Sequence, residues 1–248
     1  MKIGLKTYGE LETLKTFQNK VDFFEVMALN KPHEGSLELL KKLTIPLLVH
    51  SAHGGFGINN ADKLKEAQNL AALEKAAQLA DMLGSPKIIV HPGEIESPSC
   101  NTETSENLIT NFKDSRILIE NMPHRNGISL CSTPENTREY LTQTKCGFCL
   151  DINHAISAAL ELKIDYIQFL SKFIELKPAH YHLGGQRLTN EDRAHRCFMD
   201  SDIDLAKILS LLPKDCEISL EVTMDLEKTK RDVEIIKQLV ANELSKRL

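Results

Sequence analysis

Short apolar runs alternate with helical patterns along the whole chain. Eight of these runs read as β-strands: KIGLKT from Lys2, DFFEVM from Asp22, IPLLVH from Ile45, KIIVH from Lys87, RILIE from Arg116, GFCLD from Gly147, AHYHL from Ala179 and EISLE from Glu217. Most are continuous apolar stretches, not strict alternations, which is the mark of strands covered on both faces, as in a parallel sheet. The segments between them supply the covering helices. The clearest runs from Lys63 to Met82, where Leu64, Ala67, Leu70, Ala71, Leu73, Ala77 and Leu79 form an apolar stripe closed by Gly84 and Pro86. Other helices are expected to begin at Ser36, Ser105, Thr133, Asp165, Asp202 and Asp225, whose side chains can cap a first turn. Successive strands start 20 to 42 residues apart, around the roughly 30 residues of a βα unit. The expected fold is therefore α/β, a single (β/α)8 barrel forming one domain over residues 1–248. A doubly wound open sheet would carry a glycine-rich phosphate turn after an early strand, and neither GxGxxG nor GxxxxGKS occurs.

Composition fits that expectation and narrows the partners. A chain of 248 residues, 42% of them apolar, can bury a large core. Lys and Arg number 30 against 35 Asp and Glu, a net charge of −5, so the basic excess that neutralises phosphate backbones is missing, which weighs against nucleic acid. No apolar run reaches the length of a membrane span, and the first ten residues have no signal-type apolar core. A cytoplasmic protein with no membrane partner is expected. Six scattered cysteines read as reduced thiols. Cys146 and Cys149 form a CxxC, but residues three apart on a strand face opposite ways and no second CxxC completes a zinc site, so the pair reads as structural.

The chemistry concentrates at strand ends. From the third strand onward the runs finish in His50, His91, Glu120, Asp151, His182 and Glu221, and the carboxyl ends of parallel barrel strands converge on one face. Three carboxylates and three imidazoles sharing one cavity need a counter-ion, because unpaired buried charge is costly. A divalent metal is the simplest. His53, His154, His195 and Asp192 lie just beyond these ends and could extend the cluster to two or three ions or bind substrate. His180 has the strand parity of His182 one layer deeper, which suits a hydrogen-bonded interior residue. Arg187, Arg193 and Arg196 put positive charge near the mouth and could hold a substrate phosphate or carboxylate.

The pieces VHSAHGGFGIN at 49, IVHPGE at 89, ILIENM at 117, CLDINHA at 149, YHLGG at 181 and ISLEVT at 218 together resemble the xylose-isomerase-like TIM barrels. That superfamily joins endonuclease IV to sugar isomerases and epimerases. The resemblance implies that Glu120, Asp151, His182 and Glu221 form the four-ligand site shared by both branches, which in the isomerases holds one Mn, Co or Mg ion. It implies that His50 and His91 match two histidines that, with Glu120, complete a further zinc in endonuclease IV, and that His154 and His195 match two ligands of a third. The family's third-site Asp stands two residues before the histidine. Here that place is Arg193, which cannot ligate a metal, with Asp192 displaced by one. Met199 and Ser201 replace family glycines.

Three readings follow. In the first, the protein is a sugar isomerase or epimerase acting on a small sugar or sugar phosphate: a metal-stabilised enediolate forms on proton loss, and Glu120 and Glu221 act as the catalytic base and acid. In the second, two or three zinc ions activate water for phosphodiester cleavage at abasic DNA sites, which the extra histidines favour and the acidic charge and Arg193 oppose. In the third, the barrel binds metal without catalysis.

Overall fold

In a computed structural model, which describes residues 1–189, 195–223 and 225–246, all eight runs are strands of one closed parallel barrel. In chain order they are β1 Lys2–Thr7, β2 Phe23–Met27, β3 Leu47–His50, β4 Ile88–Val90, β5 Ile117–Glu120, β6 Gly147–Asp151, β7 His180–Leu183 and β8 Glu217–Leu220. Each strand pairs with its neighbours in sequence, and β1 closes on β8 with Lys2 opposite Glu217 and Leu5 opposite Leu220. The outward-facing residues of the strands, such as Ile3, Leu5, Val26, Leu150, Leu183 and Leu220, are buried against the surrounding helices. This double burial is what the continuous apolar runs require.

The helices are α1 Leu11–Phe17, α2 Ser36–Leu40, α3 Glu66–Leu83, α4 Thr102–Phe112, α5 Pro134–Thr144, α6 Ile152–Glu161, α7 Tyr166–Ile174, α8 Leu205–Leu211 and α9 Leu226–Lys246. Two of them, α6 and α7, share the β6–β7 connection, a departure from one helix per strand. Thr133 and Asp165 cap α5 and α7 as their sequence suggests, and Asp225 accepts from Lys228 N at the start of α9. The other starts differ. Ser105 lies inside α4, where its hydroxyl meets Pro92 O and Tyr140 Oη, and Asn101 is the cap. Asp204, not Asp202, caps α8, while Asp202 takes the Leu188 N–H. Gly35 precedes α2 with φ 72°, so Ser36 is its first residue. A 3₁₀ turn at Lys63–Lys65 precedes α3 and leaves Leu64 exposed. The face α3 buries is Asn69, Ala72, Leu73, Ala76 and Ala80, because Asn69 is drawn inward by hydrogen bonds to Asn59 and small side chains allow close approach to the sheet. No helix among the described residues is long and apolar enough to cross a membrane.

Inside the barrel, residues of alternate parity stack in layers. At the amino-terminal end Lys87 Nζ donates to Glu217 Oε2 at 2.7 Å and to Ala179 O at 2.8 Å. Above this lie Phe23, Leu48, Ile89, Leu118 and Cys149. The Phe23 ring occupies the space that a side chain on Gly4 would need: a Cβ there would come within 2.2 Å of it. The inward-facing strand residues above the apolar layer are polar.

On the outside, Asp232 of α9 accepts the Phe198 N–H at 2.8 Å, while its other oxygen has no partner among the described residues. Burial, helped by nearby Asp200, pushes the Asp232 carboxyl up to about 6. An acid whose folded pKa is raised costs stability above that pKa and nothing below its unfolded value of 3.8. Asp232→Asn is expected to stabilise the fold by roughly 1–3 kcal/mol at pH 7.5, with the gain vanishing near pH 4. Thermal melts of both proteins at the two pH values check this.

Candidate metal centre

The polar layer draws on all eight strands. Lys6 (β1), Glu25 (β2), His50 (β3), Glu120 (β5), Asp151 (β6) and both His180 and His182 (β7) come from strand residues, and His91 and Glu221 from the first residues beyond β4 and β8. His50, Glu120, Asp151 and His182 are 0% exposed. At the centre, one donor atom each from Glu120, Asp151, His182 and Glu221 lies within 4.8 Å of the others. His182 Nδ1 is 3.4 Å from Glu120 Oε1, 3.7 Å from Asp151 Oδ2 and 3.5 Å from Glu221 Oε2. Glu120 faces two ways, because its Oε2 meets His50 Nε2 at 3.1 Å and His91 Nε2 at 3.2 Å.

The proton positions show what these atoms await. His50 Nδ1 donates to Ser51 O at 2.7 Å, so in the neutral ring Nε2 is a lone pair aimed at the Glu120 carboxylate. His154 Nδ1 likewise donates to Asn121 O at 2.9 Å, leaving Nε2 as a lone pair 3.4 Å from His195 Nε2. Glu120 Oε1, Asp151 Oδ2, His182 Nδ1 and His91 Nε2 are all buried without a hydrogen-bond partner. Lone pairs that converge without donors repel unless a cation sits among them, so these residues fit a divalent ion. Charge adds to the case. Burial would raise the Glu120 carboxyl, but His91, His182 and His50 hold it well below the ordinary range. Burial, with the charge of Lys6, likewise drives His50 toward its neutral, metal-competent form.

The other candidates fall around this centre. Asp151, His154 and His195 bring a donor atom each into a second group, and His50, Glu120 and His182 into a third. Asp151 Oδ1 also caps α6 through His154 N, which fixes that histidine relative to the strand end. His53 stacks on His91 with ring centroids 4.7 Å apart, and burial, then His91, push its pKa down to about 2; it joins none of the ligand groups among the described residues. His180 lies one layer down, with Nε2 3.0 Å from Glu25 Oε2 and 2.8 Å from Ser219 Oγ. Asp192 and Arg193 lie outside the described residues. Arg187 is exposed beside Asp200 O, and Arg196 pairs its backbone with Gly185; neither lines the cavity above the cluster. The cations that do line it are Lys6, Lys65 and Arg125. All six cysteines are free, and Cys149 belongs to the barrel interior.

Two residues stand outside the set read from strand ends. Glu25 Oε2 meets His182 Nε2 at 3.0 Å, and Lys6 Nζ pairs with Glu221 Oε2 at 2.8 Å. Both were detectable: KIGLKT alternates polar and apolar residues, so Lys6 shares the parity of Gly4 inside the barrel, and Glu25 is a lone charge in an apolar run. Over the centre opens a cavity of about 370 Å³, walled by Lys6, His53, His91, His154, His195 and Glu221 among others. Gly184 permits the close approach of β7 and β8 beneath it, since a Cβ there would lie 2.2 Å from Glu221 O.

A closed parallel barrel with clustered carboxylates and imidazoles at its carboxyl rim defines a class of proteins built around a metal-competent site. The chain belongs to the xylose isomerase-like TIM barrel family, whose model matches residues 14–239. A D-tagatose 3-epimerase-like protein shares the fold with a TM-score of 0.78 at 20% identity, covering 100% of both chains. Endonuclease IV from Thermus thermophilus gives 0.74 at 16% identity over 98% of this chain and 100% of its own. The IOLI protein with a binding zinc atom gives 0.69 at 18% over 100% and 99%. At such identities the likeness is one of fold. No curated protein sequence matches the chain.

Proposed function

We propose that this protein is a divalent-metal-dependent isomerase or epimerase of a small sugar or sugar phosphate. The observation that carries the reading is the cavity: about 370 Å³, a small-molecule size, lined by Glu221 of the carboxylate and imidazole cluster. The residues that would hold the ion are Glu120, Asp151, His182 and Glu221, with His50 and His91 beside Glu120. When bound, Mn, Co, Mg or Zn supplies positive charge that stabilises the oxyanion developing as a proton leaves the adjacent carbon.

The remaining work falls to the chain's own residues. Glu221 lines the cavity and is the carboxylate that substrate meets first; Glu120 lies below it, and the pair would remove and return the proton. Lys6 holds Glu221 Oε2, and His195 together with Lys6 keeps that carboxylate ionised. His53 and His154 form walls that exclude water and can accept or donate hydrogen bonds to hydroxyl groups. Lys65 and Arg125 line the cavity wall and are further candidates, beside Arg187, Arg193 and Arg196, to hold a substrate anion, although Arg125 is engaged by Glu94 at 2.8 Å.

One observation favours phosphodiester hydrolysis instead. Two further ligand groups contain paired imidazoles, His50 with His182 and His154 with His195, and imidazole-rich sites select zinc. Metal analysis of protein purified without chelator, together with two assays, separates the readings. The expected result is one ion per chain and solvent deuterium incorporation next to the carbonyl of a ketose. Three tightly held zincs with cleavage of an abasic oligonucleotide would establish the hydrolase. Metal uptake with neither activity would leave a binding protein.

A further inference from the structure

We propose that Glu25 is the positioning residue that makes His182 a metal ligand, and that His180 and Ser219 hold Glu25 for this task. The inference rests on the metal centre proposed above. Glu25, His180, His182 and Ser219 are each 0% exposed, and all but His182, itself a member of the centre, lie beneath it. One oxygen, Glu25 Oε2, meets three groups: His182 Nε2 at 3.0 Å, His180 Nε2 at 3.0 Å and Ser219 Oγ at 2.5 Å. An ionised carboxylate has no proton to give, so the ring nitrogens and the hydroxyl must donate to it. Three donors converging on one oxygen are the surroundings of a carboxylate, not of a carboxylic acid.

The consequence reaches the centre through one ring. With Nε2–H committed to Glu25, the neutral form of His182 carries its lone pair on Nδ1, the atom 3.4–3.7 Å from Glu120, Asp151 and Glu221. Without an acceptor below, the ring would gain by placing its proton on Nδ1, facing three carboxylates, and would then be a hydrogen-bond donor and no ligand. Glu25 therefore selects the tautomer, fixes the ring plane and raises the basicity of Nδ1, which is the usual work of a carboxylate behind a metal-bound histidine. Glu25, His180 and His182 could themselves be taken for a ligand set, since their donor atoms cluster. The Ser219 hydroxyl donating into the same oxygen and the 3.0 Å spacings describe hydrogen bonds instead. One imidazole also cannot serve an ion on each side while keeping a proton.

Glu25→Gln keeps the volume and an accepting oxygen but removes the charge; Glu25→Met removes the acceptor. Cobalt(II) titration followed by its visible absorption, and the nitrogen-15 correlation pattern of His182 in metal-free protein at a pH high enough to make the ring neutral, read the two effects separately. We expect cobalt affinity about tenfold weaker for E25Q and about 100-fold weaker for E25M. We also expect the Nε2–H tautomer of His182 in the wild type and E25Q, but a shift to Nδ1–H in E25M. Should E25M fail to fold, the E25Q affinity decides. Folded variants that bind cobalt within about twofold of the wild type, or an E25M ring that stays Nε2–H, would overturn the proposal. If the wild type takes up no cobalt, the centre itself is wrong, while the tautomer pattern still judges Glu25.

Discussion

Glu120→Gln is expected to cost the centre its metal and with it essentially all activity. Glu120 is the carboxylate that two of the ligand groups share: His50 and His91 face one of its oxygens, His182 and His154 the other. An amide offers one accepting oxygen and no charge, so two imidazole lone pairs would meet an N–H₂ group or each other. Outer-shell partners of metal ligands alone are worth about 10–100-fold in metal affinity, so loss of this direct ligand is expected to weaken binding by more than about 100-fold. Calorimetric or cobalt titration measures it directly. An E120Q protein that retains wild-type metal content would refute the assignment of Glu120 as the shared ligand.

The same variant carries a pH signature. Because the Glu120 carboxyl is held below its ordinary value in the fold, its ionised form contributes stability that is present above the unfolded carboxylate pKa, about 4.3, and is lost as pH falls through the lower folded value. Metal-free wild type and E120Q should therefore differ most in melting temperature at neutral pH and converge in acid.

The fold was legible because its cause is local. Each strand is an apolar run bounded by turn residues, and all eight runs coincide with the strands within two residues at each end. The ring of strand-end residues was legible for a topological reason: parallel order sends every carboxyl end to one rim, so His50, His91, Glu120, Asp151, His182 and Glu221 meet although they lie up to 171 positions apart in the chain. Glu25 and Lys6 were harder, because they sit inside strands, and only the closure of β1 onto β8 and β2 turns their parity into a position beside the ligands. Of the arginines beyond β7, Arg193 lies outside the described residues, and the placement of Arg187 and Arg196 depends on loop conformation, which the sequence does not fix. The Arg196 backbone pairs with Gly185, and Lys65 and Arg125 from other connections line the cavity. Helix starts failed where two capping residues stood close together: Asp202 and Asp204 are equivalent by type, and only the Leu188 N–H distinguishes them.

Lys6→Met should act on the metal in the opposite sense to the substitutions at Glu25 and Glu120: it weakens the fold but tightens the metal. Lys6 Nζ lies 2.8 Å from Glu221 Oε2 with its side chain 9% exposed. Burial would lower its pKa, but Glu221, Glu120 and Glu25 outweigh burial and keep it charged. In metal-free protein it is the strongest fixed cation facing those carboxylates. Removing it strands Glu221, at a cost of about 3–5 kcal/mol, or a fall in melting temperature of roughly 6–20 °C for a chain of this size. A bound divalent ion supplies the missing charge, so the metal-loaded variant should lose much less. By linkage, the difference between the two losses must reappear as tighter cobalt binding by K6M. Melts with and without cobalt, combined with one titration, close that cycle. Equal destabilisation in both states, with unchanged cobalt affinity, would mean that Lys6 contributes only through the packing of its aliphatic stem and that the ion and the ammonium do not compete for Glu221.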